Sequence, residues 1–325
     1  MLCNERPSQL HPSQISLNKR NNQVLFTKFA TFALIALTIL VSAMLTVAAQ
    51  VTERRLSLGV LDLGETPVGR LAAEKLAANL KSAANVSVQD QDQIRAAARG
   101  AGYAGSINLS LEEARQLGSV LGSDFFLVGD AQTLRRSPSS GSVYFESYAS
   151  LFLVSARTGR LVLWDRPTFE AATATAAESL LIARLSSTEL KEHLTRSIQE
   201  AHSLEREQRQ LSHAAGVPII EEAPDDEKSA EAEGLRLPRP YRRFTPAYPE
   251  SAAKAEAEAT VDVLVDLDAE GEVTRVEVAR WAGFGLDEST IETVKRLHFF
   301  PAKRNGVAIP LRVLLRYNFR KPPRE

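Results

Sequence analysis

The sequence predicts an α+β protein with two folded blocks, and three observations support this. Residues 56–63 read Leu-Ser-Leu-Gly-Val-Leu-Asp-Leu, an apolar alternation typical of a strand, and helical spacing follows. A second block of alternating strands and one short helix occupies residues 260–319. Between the blocks the chain is acidic and poor in large apolar residues. At 325 residues there is room for two ordinary domains and accessory segments.

The overall charge and cysteine usage exclude some classes of partner. The formal net charge is -1, so the field of the whole molecule favours neither nucleic acid nor an anionic membrane. We therefore expect no nucleic-acid partner. The single cysteine, Cys3, cannot form an internal disulfide.

Residues 29–49 are the candidate membrane segment. They contain no charged residue and follow Lys19, Arg20 and Lys28. About 20 apolar helical residues span a bilayer, and basic residues on the amino side predict that this side remains in the cytoplasm. Val-Ala-Ala at 47–49 also fits a signal-peptide cleavage site. The sequence therefore predicts a retained single-pass anchor, with a cleaved signal peptide as the alternative.

The block after the membrane segment is predicted to be an α/β layer domain with one sheet and packed helices. Its elements follow the order β, α, β, α, α, β, β, β, α. Ser110-Leu-Glu-Glu113 is a capping box that begins one helix. A long helix is predicted over residues 171–211, with an apolar stripe that packs on the domain's own sheet. The stripe consists of Leu190, Leu194, Ile198, Ala201 and Leu204.

Three segments of this block carry a family resemblance. They are Leu-Gly-Val-Leu-Asp-Leu at 58–63, Leu-Gly-Ser-Asp-Phe-Phe-Leu-Val-Gly at 121–129 and Thr-Gly-Arg-Leu-Val-Leu-Trp at 158–164. Over about residues 56–205 the chain resembles the CsgG-like and TolB amino-terminal group of envelope domains. That resemblance implies a non-catalytic module that binds an envelope partner.

The acidic segment between the blocks is predicted to be a flexible linker over residues 212–240. Residues 213–233 contain seven acidic residues and one lysine, with almost no large apolar residue after Ile220. Such a composition buries too little apolar surface to form a core.

The second block begins with a predicted hairpin. Residues 260–267 and 273–279 alternate apolar and polar side chains, and Asp-Ala-Glu-Gly at 268–271 joins them. Gly271 supplies the positive φ that such a turn uses. Asp287 is the predicted N-cap of the short helix that follows.

The chain's last strand follows a second turn. Asn305-Gly306 favours a type I′ turn, and residues 309–319 form a long strand. From residue 295 onward there are nine basic residues and one acidic residue. These residues form either a solvated face or a surface that steers an acidic partner segment. The candidate partner-binding residues are Arg312, Arg316, Tyr317, Asn318, Phe319 and Arg320.

The C-terminal motifs also resemble a known family. The quoted segments are Tyr-Pro at 248–249, Phe-Gly-Leu-Asp-Glu at 284–288 and Leu-His-Phe-Phe-Pro-Ala-Lys-Arg-Asn-Gly-Val at 297–307. Over about residues 241–321 they resemble the TonB family C-terminal domain. The resemblance implies a small αβ domain whose sheet edge accepts an extended segment of a partner. Exposed edges offer unpaired N–H and C=O groups, so this binding mode is physically sound.

The TonB resemblance implies the partners and the location. It implies docking to a TonB-dependent outer-membrane receptor, which is a β-barrel, by a protein of the cell inner membrane whose bulk is periplasmic. The resemblance also implies transduction of inner-membrane energy for transport. TonB couples to the ExbB and ExbD motor proteins through an anchor histidine, and residues 29–49 contain none, which argues against that coupling. The alternative hypothesis is an envelope assembly or scaffold protein whose CsgG-like domain binds a partner.

The predicted segments have the following boundaries. They are a cytoplasmic segment at 1–28, the anchor or signal peptide at 29–49, the CsgG-like domain at 50–211, the acidic linker at 212–240 and the TonB-like domain at 241–325.

No catalytic residue, cofactor or metal site is predicted, so the chain is expected not to be an enzyme. Residues 266–271 match the spacing of a calcium loop, but strands flank them. Residues 64–70 resemble a phosphate loop but lack its Lys and its Ser or Thr. No two histidines are three or four residues apart. Four aromatic residues are predicted to pack in the core: Trp281, Phe284, Phe299 and Phe300.

Overall fold

The computed structural model describes residues 54–214, 220–224 and 226–321. The predicted anchor or signal peptide at 29–49 lies outside these ranges. Within them, no helix is both long and apolar enough to span a bilayer. The chain divides into two compact units, Met1–Arg54 and Arg55–Glu325.

The second unit begins with a mixed six-stranded sheet, here called the first sheet. Its elements are β1 Leu56–Val60, α1 Pro67–Leu80, β2 Val86–Val88, α2 Gln91–Gly100, α3 Leu111–Leu121, β3 Phe125–Arg136, β4 Tyr144–Ser155, β5 Leu161–Asp165, β6 Thr168–Ala171, α4 Ala174–Leu185 and α5 Thr188–Ala214. The strand order is β2-β1-β3-β4-β5, and β6 also pairs with β4. The strands β2, β1 and β3 are parallel, whereas the remaining pairs are antiparallel.

The predicted element order of this part is confirmed, with two subdivisions. The last of the three consecutive strands predicted before the long helix is divided into β5 and β6 at Arg166-Pro167, where proline has no N–H to donate. The helix predicted over 171–211 is divided into α4 and α5 at Ser186-Ser187. The Ser187 hydroxyl accepts the Leu190 N–H at 3.2 Å and so caps α5.

The predicted capping box and most of the predicted apolar stripe are confirmed. Ser110 and Glu113 form the predicted capping box of α3. In α5, Leu190, Leu194 and Ile198 are buried in the core of the first sheet. The stripe prediction is wrong for Leu204, which is 58% exposed, because Glu205 takes the buried position at this turn and its carboxylate accepts the Ser155 hydroxyl at 2.5 Å.

The C-terminal part contains three small sheets. Its elements are α6 Glu227–Ala232, β7 Leu235–Arg236, β8 Arg239–Pro240, α7 Glu250–Ala255, β9 Ala259–Leu267, β10 Val273–Arg280, α8 Leu286–Val294, β11 Phe299–Phe300, β12 Lys303–Arg304, β13 Val307–Ala308 and β14 Leu311–Phe319. The largest, here called the C-terminal sheet, has the order β10-β9-β14. The other two are β11-β8 and β13-β12-β7. Together with the first sheet and its helices, they confirm the predicted α+β class.

Both predicted turns of this part are confirmed. Gly271 has φ 88 in the turn between β9 and β10. Asn305 and Gly306 have φ values of 50 and 88 and join β12 to β13. A two-residue loop with positive φ at both positions is the type I′ geometry that matches the twist of a hairpin.

Asp287 does not cap α8 in the predicted way. The helix begins at Leu286, with Gly285 as its N-cap, so Asp287 lies inside the first turn. Its carboxylate accepts the N–H groups of Ala282 and Gly283 at 2.9 and 2.8 Å. The N-cap prediction is therefore wrong, and Asp287 instead ties the preceding loop to the start of the helix.

The flexible linker predicted over 212–240 differs from the structure at residues 227–240. These residues form α6, β7 and β8, and the two strands pair with β12 and β11. Acidic residues that suggested disorder make specific contacts: the Asp226 carboxylate accepts the Ser229 N–H at 2.8 Å and caps α6, and Glu227 pairs with Arg239 at 2.7 Å. Strands of two residues are too short to show an alternating pattern, which is why the sequence does not reveal them.

The C-terminal sheet shares a hydrophobic core with the first sheet. The Trp281 ring stacks on Phe152 at 5.6 Å, and Phe284 contacts both Phe152 at 5.6 Å and Trp164 at 5.5 Å. The Trp281 indole N–H donates to the Gly159 carbonyl at 3.0 Å. The two sheets are therefore packed together rather than held only by a tether.

The core prediction for the four aromatic residues holds for three of them. Trp281, Phe284 and Phe299 are buried, whereas Phe300 is 57% exposed. Phe300 follows Phe299 in the two-residue strand β11, and successive side chains of a strand point to opposite sides. Its ring rests edge-on against the exposed Tyr241 at 4.2 Å.

Candidate functional site

The strand β14 forms one edge of the C-terminal sheet. All nine of its residues pair in continuous antiparallel register with β9, from Leu311 opposite Leu267 to Phe319 opposite Ala259. Its other side, here called the open edge, faces away from β9. A long, regular edge strand presents a row of backbone groups to which another extended segment can pair.

One face of β14 carries charges that are already paired. The Arg312 guanidinium donates to the Asp266 carboxylate at 2.5 and 2.9 Å, and Arg316 donates to Asp262 at 2.7 and 2.9 Å. Both aspartates are buried, with 4% and 5% exposure. The hydrogen bonds to these carboxylates raise the pKa of Arg312 and of Arg316. The two arginines are therefore fixed in a ladder across β14 and β9.

The ladder reduces the net positive charge that β14 presents. Further along the same face, Arg320 pairs with Glu258 at 3.3 Å. The three arginines lie on one face, and each has a carboxylate partner. Their role in steering an acidic partner stays a prediction, and Arg316 and Arg320 are the two more exposed members.

The remaining candidate residues divide between the two faces. Phe319 is buried and Tyr317 is half-buried on the core side, where burial raises the pKa of Tyr317. Asn318 lies on the opposite, exposed side and accepts the Thr260 hydroxyl at 2.8 Å. Tyr317 and Phe319 therefore pack β14 against the core and do not face a partner.

One exposed residue of this face was missed by the sequence analysis. Leu314 is 51% exposed and lies between Arg312 and Arg316 on the exposed face. A large apolar side chain in the middle of an open strand is suited to pack against a partner's side chain. The signal was present in the alternation Arg-x-Leu-x-Arg, but apolar residues in strands are usually assigned to the core.

Backbone groups along the open edge can be located from Arg312. Its N–H donates to the Glu221 carbonyl and its carbonyl accepts the Ala223 N–H, both at 2.8 Å. Because backbone direction alternates along a strand, the N–H and C=O groups of Leu314, Arg316 and Asn318 point to the same side. Among the described residues, none forms a backbone hydrogen bond to these three on that side.

Apart from the open edge, the structure contains a concave feature beside β10. A cleft of about 370 Å³ separates β5 from β10, and Arg160 pairs with Glu277 across it. Asp287 lines the cleft, and burial raises the pKa of its carboxyl to about 6 against the lowering effect of its two backbone hydrogen bonds. Within the described ranges, no three histidine, cysteine or acidic side chains are grouped to hold a metal ion.

The fold and this geometry define a class of protein-interaction domain with an accessible sheet edge. The sequence model of the family "Gram-negative bacterial TonB protein C-terminal" matches residues 245–320. The chain therefore contains a TonB C-terminal domain, within the predicted range of 241–321.

Solved structures with some similarity cover parts of the chain. The solution NMR structure of the Pseudomonas aeruginosa TonB CTD is 20% identical, covers 27% of this chain and 90% of its own, and has a TM-score of 0.23. The hypothetical protein CT253 of Chlamydia trachomatis is 10% identical, with 46% and 94% coverage and a TM-score of 0.28. The LpoB C-terminal domain of Escherichia coli is 16% identical, with 40% and 91% coverage and a TM-score of 0.25. No curated protein matches the chain.

Proposed function

We propose that this chain is a TonB-like envelope protein that binds an extended segment of an outer-membrane receptor by strand addition along the open edge of β14. The observation that carries the proposal is a nine-residue edge strand in which Leu314, Arg316 and Asn318 direct backbone groups outward. Main-chain pairing provides affinity with little sequence demand, and pockets for alternate side chains provide specificity. The exposed Leu314 side chain supplies an apolar contact at the centre.

The proposed function is docking, without a chemical step. A TonB C-terminal domain is a protein-interaction domain, and the edge strand β14 offers backbone groups for pairing. We further propose that the chain is anchored in the inner membrane by residues 29–49, with the folded part in the periplasm. This location rests on the basic residues that precede the apolar segment and on the TonB C-terminal domain.

Two substitutions at one position test the docking edge. Leu314→Ala removes the apolar side chain and keeps the backbone N–H, whereas Leu314→Pro removes the outward N–H as well. That N–H makes no bond to β9, and proline is tolerated on edge strands when its nitrogen faces outward. The probe is a labelled synthetic peptide that copies the periplasmic amino-terminal segment of a TonB-dependent receptor, here called the receptor peptide.

We expect Leu314→Pro to bind the receptor peptide at least about tenfold more weakly than Leu314→Ala, measured by fluorescence polarisation. Such a difference corresponds to about 1.4 kcal/mol, within the cost of leaving one partner carbonyl unpaired. Thermal unfolding followed by circular dichroism checks that both variants fold. Equal affinities of the two folded variants would show that the partner does not pair with this edge.

A further inference from the structure

A short segment of the chain itself already occupies the beginning of the open edge. Residues 221–223 run parallel to β14 at Arg312. The Arg312 N–H donates to the Glu221 carbonyl and the Ala223 N–H donates to the Arg312 carbonyl, both at 2.8 Å. This pair of bonds from one residue to two residues of its neighbour is the pattern of a parallel β-bridge.

Two arginines hold the acidic side chains of this segment. The Arg304 guanidinium donates to both oxygens of Glu221 at 2.5 and 2.8 Å, in a two-pronged ion pair. The hydrogen bonds from Arg304 lower the pKa of Glu221. Arg312 also lies 3.7 Å from the Glu222 carboxylate. The edge therefore contacts this segment through both backbone and charge.

The following residues keep the segment close to the edge. Only a few residues after Ala223, the helix α6 begins, and β7 then pairs with β12, so the chain is fastened to the same domain. A segment joined by so short a connection has a high effective concentration at its binding site. Among the described residues, its pairing is limited to Arg312, and none pairs with the outward backbone groups of Leu314, Arg316 and Asn318.

We infer that the open edge selects an acidic, extended segment that runs parallel to β14, and that residues 221–223 are an intramolecular competitor for that position. This inference rests on the proposed docking function. A partner strand that pairs along the full length of β14 must displace residues 221–223, because both need the Arg312 backbone groups. Its own carboxylates then replace Glu221 and Glu222 at Arg304 and Arg312.

The test uses the full-length chain and two probe peptides. One is an acetylated and amidated copy of residues 219–224, Ile-Ile-Glu-Glu-Ala-Pro, and the other has Gln-Gln in place of Glu-Glu. The variant E221K/E222K weakens the intramolecular contact. A matched control, E231K/E270K, makes the same change of net charge at two exposed glutamates away from β14.

We expect E221K/E222K to bind the Glu-Glu peptide at least about tenfold more tightly than the wild type does, because the edge is vacated. The control variant binds like the wild type. The Gln-Gln peptide binds E221K/E222K at least about tenfold more weakly than the Glu-Glu peptide. Equal binding of the Glu-Glu peptide by wild type and E221K/E222K, or equal binding of the two peptides, would overturn the inference.

Amide hydrogen exchange by NMR gives a second measurement that does not depend on the probes. In E221K/E222K the Arg312 amide is expected to exchange at least about tenfold faster, while the Val313 amide, which points towards β9, keeps its protection. In the milder variant E221Q/E222Q the Arg312 amide should also exchange faster than in the wild type, but by a smaller factor, and the Val313 amide should keep its protection. An unchanged Arg312 amide in folded E221K/E222K would also contradict the inference.

The receptor peptide separates this inference from the proposed function. In one outcome, wild type and E221K/E222K bind the receptor peptide equally while Leu314→Pro still weakens that binding. This result would support the proposed docking and reject competition by residues 221–223. Binding of the Glu-Glu peptide without any binding of the receptor peptide keeps the acidic preference of the edge and rejects the receptor as partner.

Discussion

Replacing Trp281 with alanine is expected to lower the free energy of unfolding by about 3–5 kcal/mol, the range for a large buried aromatic side chain. The ring is 1% exposed and stacks on Phe152 of the first sheet, and its indole N–H donates to the Gly159 carbonyl. The substitution leaves a cavity between the two sheets and one unpaired carbonyl. Urea unfolding followed by circular dichroism measures the loss.

The matched control for Trp281 is Phe300→Ala. Phe300 is also an aromatic residue of the C-terminal part, but it is 57% exposed and contacts mainly the Tyr241 ring. Its replacement should cost about 1 kcal/mol or less. A loss below about 1 kcal/mol for Trp281→Ala would contradict a shared core between the two sheets.

The second large effect is expected at Gly271, where alanine should cost roughly 2–4 kcal/mol. Gly271 has φ 88, a conformation that costs a residue with a Cβ about 1–2 kcal/mol. An added Cβ would also lie 2.1 Å from the Phe299 carbonyl oxygen, so the backbone must move. That movement weakens the hydrogen bond from the Phe299 N–H to the Gly271 carbonyl, now 3.0 Å.

Gly306→Ala separates the two contributions at Gly271. Gly306 has the same φ of 88, but an added Cβ there would meet nothing within 4 Å. It should therefore show the conformational cost alone, about 1–2 kcal/mol in the same urea experiment. If Gly271→Ala costs no more than Gly306→Ala, the close approach of the β9–β10 turn to Phe299 is not a source of stability.

Local signals in the sequence were sufficient for most of the elements. The capping box at Ser110 and Glu113, the positive φ of Gly271 and the Asn305-Gly306 turn each depend on a few neighbouring residues. Alternation likewise located β9, β10 and β14, and so the strand that carries the candidate site. These features were predictable because their physical causes act over one turn or one strand.

Long-range partners were not predictable in the same way. The apolar character of Trp281 indicates burial, but nothing in the local spacing indicates that Phe152 of another sheet is its partner. Similarly, Glu221 and Glu222 suggest a solvated linker by composition, and only the fold brings Arg304 and Arg312 beside them. Binary patterns specify that a side chain is buried or exposed, whereas tertiary packing decides against which neighbour.

The candidate site has some features that local sequence signals predicted and others that depend on long-range partners. The sequence located β14 and placed its two arginines and the following Arg320 on one face, but it did not reveal that Asp262 and Asp266 of β9 would pair with Arg316 and Arg312. That pairing depends on the register between β9 and β14, which is set by the whole sheet. The consequence bears on the proposed docking: the arginines are held in place, so we propose that a partner uses the backbone of the open edge as its main contact surface.

The central claim is that a partner strand pairs with the open edge of β14, and amide hydrogen exchange of the full-length chain with the receptor peptide tests it most directly. The account predicts that the amides of Leu314, Arg316 and Asn318 become protected when the peptide binds, because they point away from β9 and none donates to a backbone carbonyl of another described residue. Unchanged exchange at these three amides, with protection appearing instead along the cleft between β5 and β10, would contradict it.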